Sequence, residues 1–194
     1  MLLTKNEENK ERQILADVVN GKPAAMKELY DCYVGFLTAV VARYIPDEDD
    51  MKDVLQNGFV KIFTTINKFQ YRGAGSLKAW MTRIVVNESL DWIAANKQGR
   101  QQFDELTGIN EESMISEYEE PNVDDIPMPA ILEMIRHLPT GYRSVFNLYV
   151  FEGKSHREIA KLLNIKEDTS ASQLHRAKAM LAYQITEYRK HLND

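Results

Sequence analysis

The sequence predicts an all-α protein: two small helical domains joined by an acidic linker, the C-terminal one a helix-turn-helix. Three observations predict it. Apolar residues recur at a helical period through two separate stretches. Between them, residues 97 to 130 show no sustained period and hold nine acidic residues and three prolines, which suits a linker rather than a packed element. No stretch shows the strict alternation of a half-buried strand. With 194 residues, 44% of them hydrophobic, the chain is long enough to bury a core in each body.

Residues 24 to 44 place Leu29, Tyr33, Phe36, Leu37, Val40, Val41 and Tyr44 on one stripe, a helix ended by Pro46. The acidic run PDEDD then favours a helix start, followed by Leu55, Phe59, Ile62, Ile66 and Phe69 on a second stripe. Gly73 and Gly75 break that pattern, and Ser76 is a suitable N-cap for a third helix through Leu77, Met81, Ile84, Val85 and Trp92. The first domain is therefore set at residues 1 to 96.

Beyond the linker, the domain from 131 to 194 opens with Ile131, Leu132, Ile135 and Leu138 in a short helix stopped at Pro139. Tyr142, Val145, Phe146, Tyr149 and Val150 form another, stopped near Gly153. Ser155 and Glu158 fit a capping box leading into Ile159, Ala160, Leu162 and Leu163. After a break at 164 to 167, Asp168 or Thr169 caps a last helix with Leu174, Ala177, Leu181, Ile185 and Tyr188 inside.

Charge follows the same division. Residues 1 to 96 hold 12 basic and 13 acidic groups, the linker two and nine, and residues 131 to 194 ten and seven. The net charge of −5 thus sits in the linker and is not spread over the domains. No apolar stretch approaches the roughly 20 residues needed to span a bilayer, and MLLTKNEENKER has no signal-peptide core, so a soluble, cytoplasmic protein is expected. Cys32, the only cysteine, excludes an internal disulfide and is expected to be a buried free thiol. His137, His156, His175 and His191 share no ligand spacing with a cysteine or carboxylate, so neither metal nor cofactor is expected, and no catalytic residue is identified.

A short helix, a tight turn and a second helix, with small Ala160 at the crossing, make the helix-turn-helix pattern; Asn164 suits a left-handed turn residue. Such a unit offers the start of its second helix to the major groove. Ala171, Ser172, His175 and Arg176 then face bases, Lys154, Arg157 and Lys178 face phosphates, and Ser155 and Thr169 add polar groups at the two helix starts. A helical hairpin with a solvated outer face is the plainer alternative.

In the first domain, Asp53, Gln56, Asn57 and Lys61 share the face opposite the second helix's apolar stripe. Around the glycine loop, Phe69, Tyr71, Trp80 and Trp92 interleave with Lys68, Arg72, Lys78 and Arg83. That mixture suits unpaired bases, since rings stack on bases and cations hold the backbone. Phe69 and Trp92, both on apolar stripes, are expected in the core.

Three strings carry a family resemblance. DVLQNGFVKIF, KFQYRGAGSLKAWMTRIVVNESLDW and HLPTGYRSVFNLYVFEGKSHREIAKLLNIKEDTSASQLHRAKAML, in that order, resemble the extracytoplasmic-function group of sigma factors, which keep sigma regions two and four. The resemblance covers about residues 24 to 96 and 131 to 186. It implies that Asp53 and Gln56, with Asn57 and Lys61 on the same face, dock on core RNA polymerase, with Phe59 serving the core. It implies that the loop from Gln70 through Tyr71, Arg72 and Gly73 to Ser76 captures a base extruded from the minus-ten element of promoter DNA. Trp80, Arg83 and Asn87 match positions beside the melted strand, and Ala171, Ser172, His175 and Arg176 match the minus-thirty-five reading face.

The resemblance also implies an anti-sigma factor as partner, no membrane insertion, and a linker that threads the polymerase near its RNA exit path. This sequence departs from the family at Ala171, often Lys or Arg, and at Asn57, usually acidic. Two other classes remain open at this level. A mimic that titrates an anti-sigma factor would lack the basic and aromatic groups of residues 68 to 92. A helix-turn-helix repressor would carry a ligand pocket and a dimerisation helix in place of the first two strings.

Overall fold

The computed structural model describes residues 5–96 and 121–193. Among the described residues all regular structure is helical, and the chain divides into two compact units, Met1–Trp92 and Ile93–Asp194. Among the same residues no helix is long and apolar enough to cross a membrane.

The first unit contains α1 (Lys5–Val19), α2 (Pro23–Ala42), α3 (Glu48–Thr65), a 3-10 turn (Ile66–Lys68) and α4, which runs Ser76–Ala95. Helix α1 is absent from the sequence expectation, which begins the first helix at residue 24. Only a sparse apolar set, including Ile14 and Val18, anchors α1 among charged neighbours. Pro23 starts α2, a position where the missing N–H is unused. Asp47 caps α3 by accepting from the Asp49 and Asp50 amides, 3.0 Å each. Leu29, Leu37, Val40, Val41, Val54, Phe59, Ile62, Leu77, Met81 and Val85 are buried. Helices α3 and α4 meet at Gly58, where an added Cβ would stand 2.8 Å from Val85 Cγ1; glycine there sets their spacing.

Four expectations change in this unit. Cys32 is exposed, because it lies about 60° around α2 from Leu29, at the margin of the buried stripe. Phe69 leaves the helical stripe, since the 3-10 turn ends α3's register and puts Phe69 in extended backbone. It and Trp92 are half-buried instead of core. Ser76 is the first residue of α4, and its hydroxyl turns back into the loop, accepting from the Arg72 amide (3.1 Å) and donating to the Gly73 carbonyl (2.7 Å).

The second unit holds α5 (Met128–Arg136), α6 (Thr140–Val150), α7 (His156–Leu163) and α8 (Glu167–Asn193). Its core joins Ile126, Met134, Ile135 and Leu138 to Ala177, Met180, Leu181 and Ile185 of α8. Arg143, buried on α6, donates through Nη1 to the carbonyls of Arg136 (2.9 Å) and Leu138 (2.7 Å), satisfying acceptors left at the end of α5.

Residues 121–130, expected as linker, belong here. Pro129 sits in the first turn of α5, where proline is well tolerated, so the proline cluster marks a helix start. Ile126 is buried, and Arg189 holds the approach by pairing with Asp125 (2.6 and 3.1 Å) and the Asn122 carbonyl (2.5 Å). The remainder of the predicted linker, 97–120, lies outside the described residues. Two smaller corrections follow from phase. Leu162 is exposed, about 60° around α7 from buried Ile159, at the margin of the buried stripe. Helix α8 starts at Glu167, so Asp168 and Thr169 lie within its first turn instead of capping it.

Candidate nucleic-acid and polymerase interfaces

The end of α3, the loop after it and the first turns of α4 enclose a trough. One part, about 420 Å³, is lined by Lys68, Phe69, Gln70, Arg72, Ser76, Ala79, Trp80 and Arg83. A second part, about 240 Å³, is lined by Lys61, Thr65, Lys68, Trp80, Ile84 and Asn87. Lys68 and Trp80 border both. Helical phase explains the α4 wall: Trp80, Arg83, Ile84 and Asn87 follow at i, i+3, i+4 and i+7. Phe69 adds a second ring, its centroid 5.1 Å from that of Trp80. The loop keeps its shape through Gly73 (φ +108) and Gly75 (φ +82), conformations that side chains rarely adopt, and through the Ser76 hydroxyl.

The trough is an aromatic wall rimmed by cations. Arg72, Arg83, Lys68, Gln70 and Asn87 are exposed, so their donors face solvent beside half-buried Trp80. This arrangement can stack an unpaired base at about 1–3 kcal/mol while holding its phosphates. Two of the sequence-predicted residues stand elsewhere. Lys78 is two positions from Trp80, on another side of α4, and its Nζ lies 3.8 Å from the Phe36 ring centroid. Tyr71 turns toward α1, with its hydroxyl 3.0 Å from Glu11 Oε2. Burial, then the Glu11 contact, raises the Tyr71 phenol above its ordinary range.

On α3, Asp53, Gln56, Asn57 and Lys61 are all exposed on one face. Two features there went unread in the sequence. Val60 stands among them at 57% exposure, and Lys61 Nζ pairs with Glu88 Oε1 of α4 at 2.5 Å. The Glu88 contact raises the Lys61 ammonium and ties the face to the trough's wall.

In the second unit, Ser155 and Glu158 form a full capping box, with the Glu158 amide 3.3 Å from Ser155 Oγ and the Ser155 amide 2.9 Å from Glu158 Oε2. The Ser155 amide and hydroxyl lower the Glu158 carboxyl. Asn164 takes the left-handed backbone (φ 53, ψ 50), and the Ile165 amide reaches back to the Ala160 carbonyl at 3.0 Å. A helix-turn-helix results. Ala171, Ser172, His175 and Arg176 lie exposed along the start of α8, with Arg157 exposed on α7 and Lys154 and Lys178 partly so. Lys154 also pairs with Glu158 at 3.7 Å. Thr169 accepts through its carbonyl from the Ser172 hydroxyl, 3.0 Å away.

Sequence reasoning missed the supports of this face. The Arg176 guanidinium donates to the Tyr142 hydroxyl of α6 at 3.0 Å. His156 bonds buried Ser170 at 3.0 Å, linking the starts of α7 and α8, and stacks on Tyr149 with centroids 5.0 Å apart. Neither partner is adjacent in sequence, so no local pattern could reveal them.

Comparison with known families matches the first unit to Sigma-70 region 2 over residues 29–99, and the second to Sigma-70, region 4 over residues 129–181. Together these take in more than half of the chain. The chain belongs to the sigma-70 family. Within that family it is of the extracytoplasmic-function group, and two similar proteins bear that name. The ECF RNA polymerase sigma-E factor of Haemophilus influenzae is 25% identical over 190 residues, covering 90% of this chain and 95% of that one. That of Escherichia coli K12 is 28% identical over 176 residues, covering 86% and 90%. Among solved structures, the sigma factor RpoE in complex with the anti-sigma factor NepR from Bartonella quintana is similar at 18% identity. It covers 82% of this sigma factor and 96% of that chain, with a TM-score of 0.49. In the sigma factor's own terms, the trough lies in region 2 and the exposed start of α8 in region 4.

Proposed function

We propose that this sigma factor brings core RNA polymerase to promoters through three surfaces, each with its own task. The outer face of α3, with Asp53, Gln56, Asn57, Lys61 and exposed Val60, docks on the polymerase. The α3–α4 trough receives a base extruded from the minus-ten element. The start of α8 reads the minus-thirty-five element. Residues 1–96 and 121–194 serve as the two working domains, and 97–120 is the tether between them.

One observation carries this reading: the trough combines two rings 5.1 Å apart with Lys68, Arg72 and Arg83 on its rim. Unstacking a base costs a few kcal/mol, and a pocket that stacks and hydrogen-bonds it recovers much of that. Trp80 supplies the stacking face, Gln70 and Asn87 supply amides that hydrogen-bond base edges, and the cations hold phosphates. In region 4, Arg176 and His175 suit base edges, Ser172 suits either base or phosphate, and Lys154, Arg157 and Lys178 suit phosphates. Ala171 offers only apolar contact, so affinity leans on the polymerase. The chemistry of RNA synthesis belongs to the polymerase, and the chain acts as a non-enzymatic address and strand opener. Its acidic tether suits a basic channel that otherwise holds RNA. An anti-sigma factor covering the polymerase-facing surfaces is the expected regulator.

The retained rings and cations speak against a mimic that only titrates an anti-sigma factor. A test is transcription in vitro with bacterial core polymerase, comparing wild type with W80A and R72A. The reading expects promoter-specific initiation that both substitutions reduce at least tenfold without loss of core binding; unchanged initiation would overturn the assignment of the trough.

A further inference from the structure

Helix α1 lies outside the region 2 match, which begins at residue 29, yet it reaches the loop that forms the trough's rim. Glu11 of α1 is 7% exposed. Its Oε1 accepts from the Tyr33 hydroxyl of α2 at 2.5 Å, and its Oε2 accepts from the Tyr71 hydroxyl at 3.0 Å. The neighbouring Arg12 guanidinium sits 4.3 Å from the centroid of the Tyr71 ring. A carboxylate is costly to bury unless its oxygens are bonded, and here each has an O–H donor. Burial and the Glu11 contact raise both phenols, keeping them in the neutral, donating form.

Tyr71 stands at one end of the loop and Ser76 at the other. The Ser76 hydroxyl closes its end onto the Arg72 amide and the Gly73 carbonyl. The intervening arch contains two positive-φ glycines, Gly73 and Gly75, and no Cβ at either would meet a neighbour within 4 Å. Apart from the backbone bonds from the Ser76 amide to the Gly73 carbonyl (3.1 Å) and from the Ala79 amide to the Gly75 carbonyl (2.9 Å), the arch is anchored at its two tied ends. A receptor loop held in its binding shape beforehand loses less entropy when the ligand arrives.

We propose that Glu11 is a positioning residue for promoter opening: through Tyr71 it holds the loop 70–76 in the form that receives the extruded base. The N-terminal helix is thereby part of the strand-opening apparatus and not merely a cover for the core. This rests on reading the trough as the minus-ten site, and the test separates the two.

The experiment follows open-complex formation by the full chain with bacterial core polymerase. The template is a duplex promoter selected with the wild-type holoenzyme and carrying 2-aminopurine in the minus-ten element. Y71F keeps the ring and removes the bond to Glu11; the expected result is an opening rate about tenfold lower, the size of one lost charge-assisted bond. E11A lowers it at least as far, E11A/Y71F is no worse than E11A, and E11Q falls between, since its amide keeps one acceptor oxygen. Y33F, which leaves the loop tie intact, opens near the wild-type rate. Affinity for core polymerase is unchanged in Y71F, and its defect shrinks on a template already unpaired at the minus-ten element.

A purely structural role for the contact would lower thermal stability but leave opening by the folded protein at the wild-type rate. If Y71F opens normally while W80A is impaired, the inference about Glu11 is wrong and the trough reading stands. If neither is impaired, both are wrong. Y71F decides the matter even where E11A fails to fold.

Discussion

Phe69 and Trp80 lie with ring centroids 5.1 Å apart and planes tilted by 40°, one from the extended segment after α3 and the other from the second turn of α4. The pair builds the aromatic wall of the trough from two segments joined through the glycine loop.

Because Trp80 borders both parts of the trough, W80A is expected to lower open-complex formation by at least tenfold, the equivalent of losing one stacked base of about 1–3 kcal/mol. F69A is expected to have a smaller effect in the same direction. Permanganate footprinting of the minus-ten strand checks both; equal binding to core polymerase in each variant shows that α3's outer face is intact.

Gly58 sets the approach of α3 to α4. G58A gains roughly 1 kcal/mol of helix propensity, but its Cβ would stand 2.8 Å from Val85 Cγ1, and Val85 is fully buried. The overpacking is the larger effect, and a net loss of about 1–2 kcal/mol is expected in denaturant unfolding. The double variant G58A/V85A recovers most of it, because the methyl that clashes is gone.

Arg189 joins the segment before α5 to the far end of α8. R189A is expected to raise hydrogen exchange at residues 122–126 while leaving α7 and the start of α8 protected, since its bonds to Asp125 and the Asn122 carbonyl fasten that segment. Its pair with Asp125 is exposed, so the midpoint of global unfolding is expected to stay close to wild type.

Tyr33 makes stability fall in alkali. Its phenol is raised above the ordinary value of about 10 by burial first and by Glu11 second. A folded state that keeps its proton longer than the unfolded chain is favoured in full below about pH 10, and loses that advantage progressively as pH rises beyond. Thermal midpoints measured between pH 9 and 11.5 are expected to drop more steeply for wild type than for Y33F. Parallel curves would contradict it.

Much of this architecture is written in local pattern. The stripes of α2 through α8, the Ser155–Glu158 capping box and the left-handed Asn164 all follow from spacing and residue type, and the structure has them at those positions. What pattern could not supply are pairings across the chain. Glu11 reads as one more charge in a polar stretch because its partners are 22 and 60 residues away. Tyr142 reads as a core residue, yet its hydroxyl holds Arg176. Position within a stripe is also legible only to its edges: Cys32 and Leu162 sit where the apolar pattern continues but the covering helix does not. In the site, the family resemblance supplied Trp80, Arg83 and Asn87, which stand on one wall at helical spacing, whereas the loop's Tyr71 had no period to say which way it turns.

The most direct test of the account is initiation in vitro by this chain with purified bacterial core polymerase on a genomic promoter library. Start sites sharing paired minus-thirty-five and minus-ten elements, lost with W80A and weakened with R176A, are the predicted result. Binding to the polymerase without any promoter-specific transcript, or no binding at all, would contradict it.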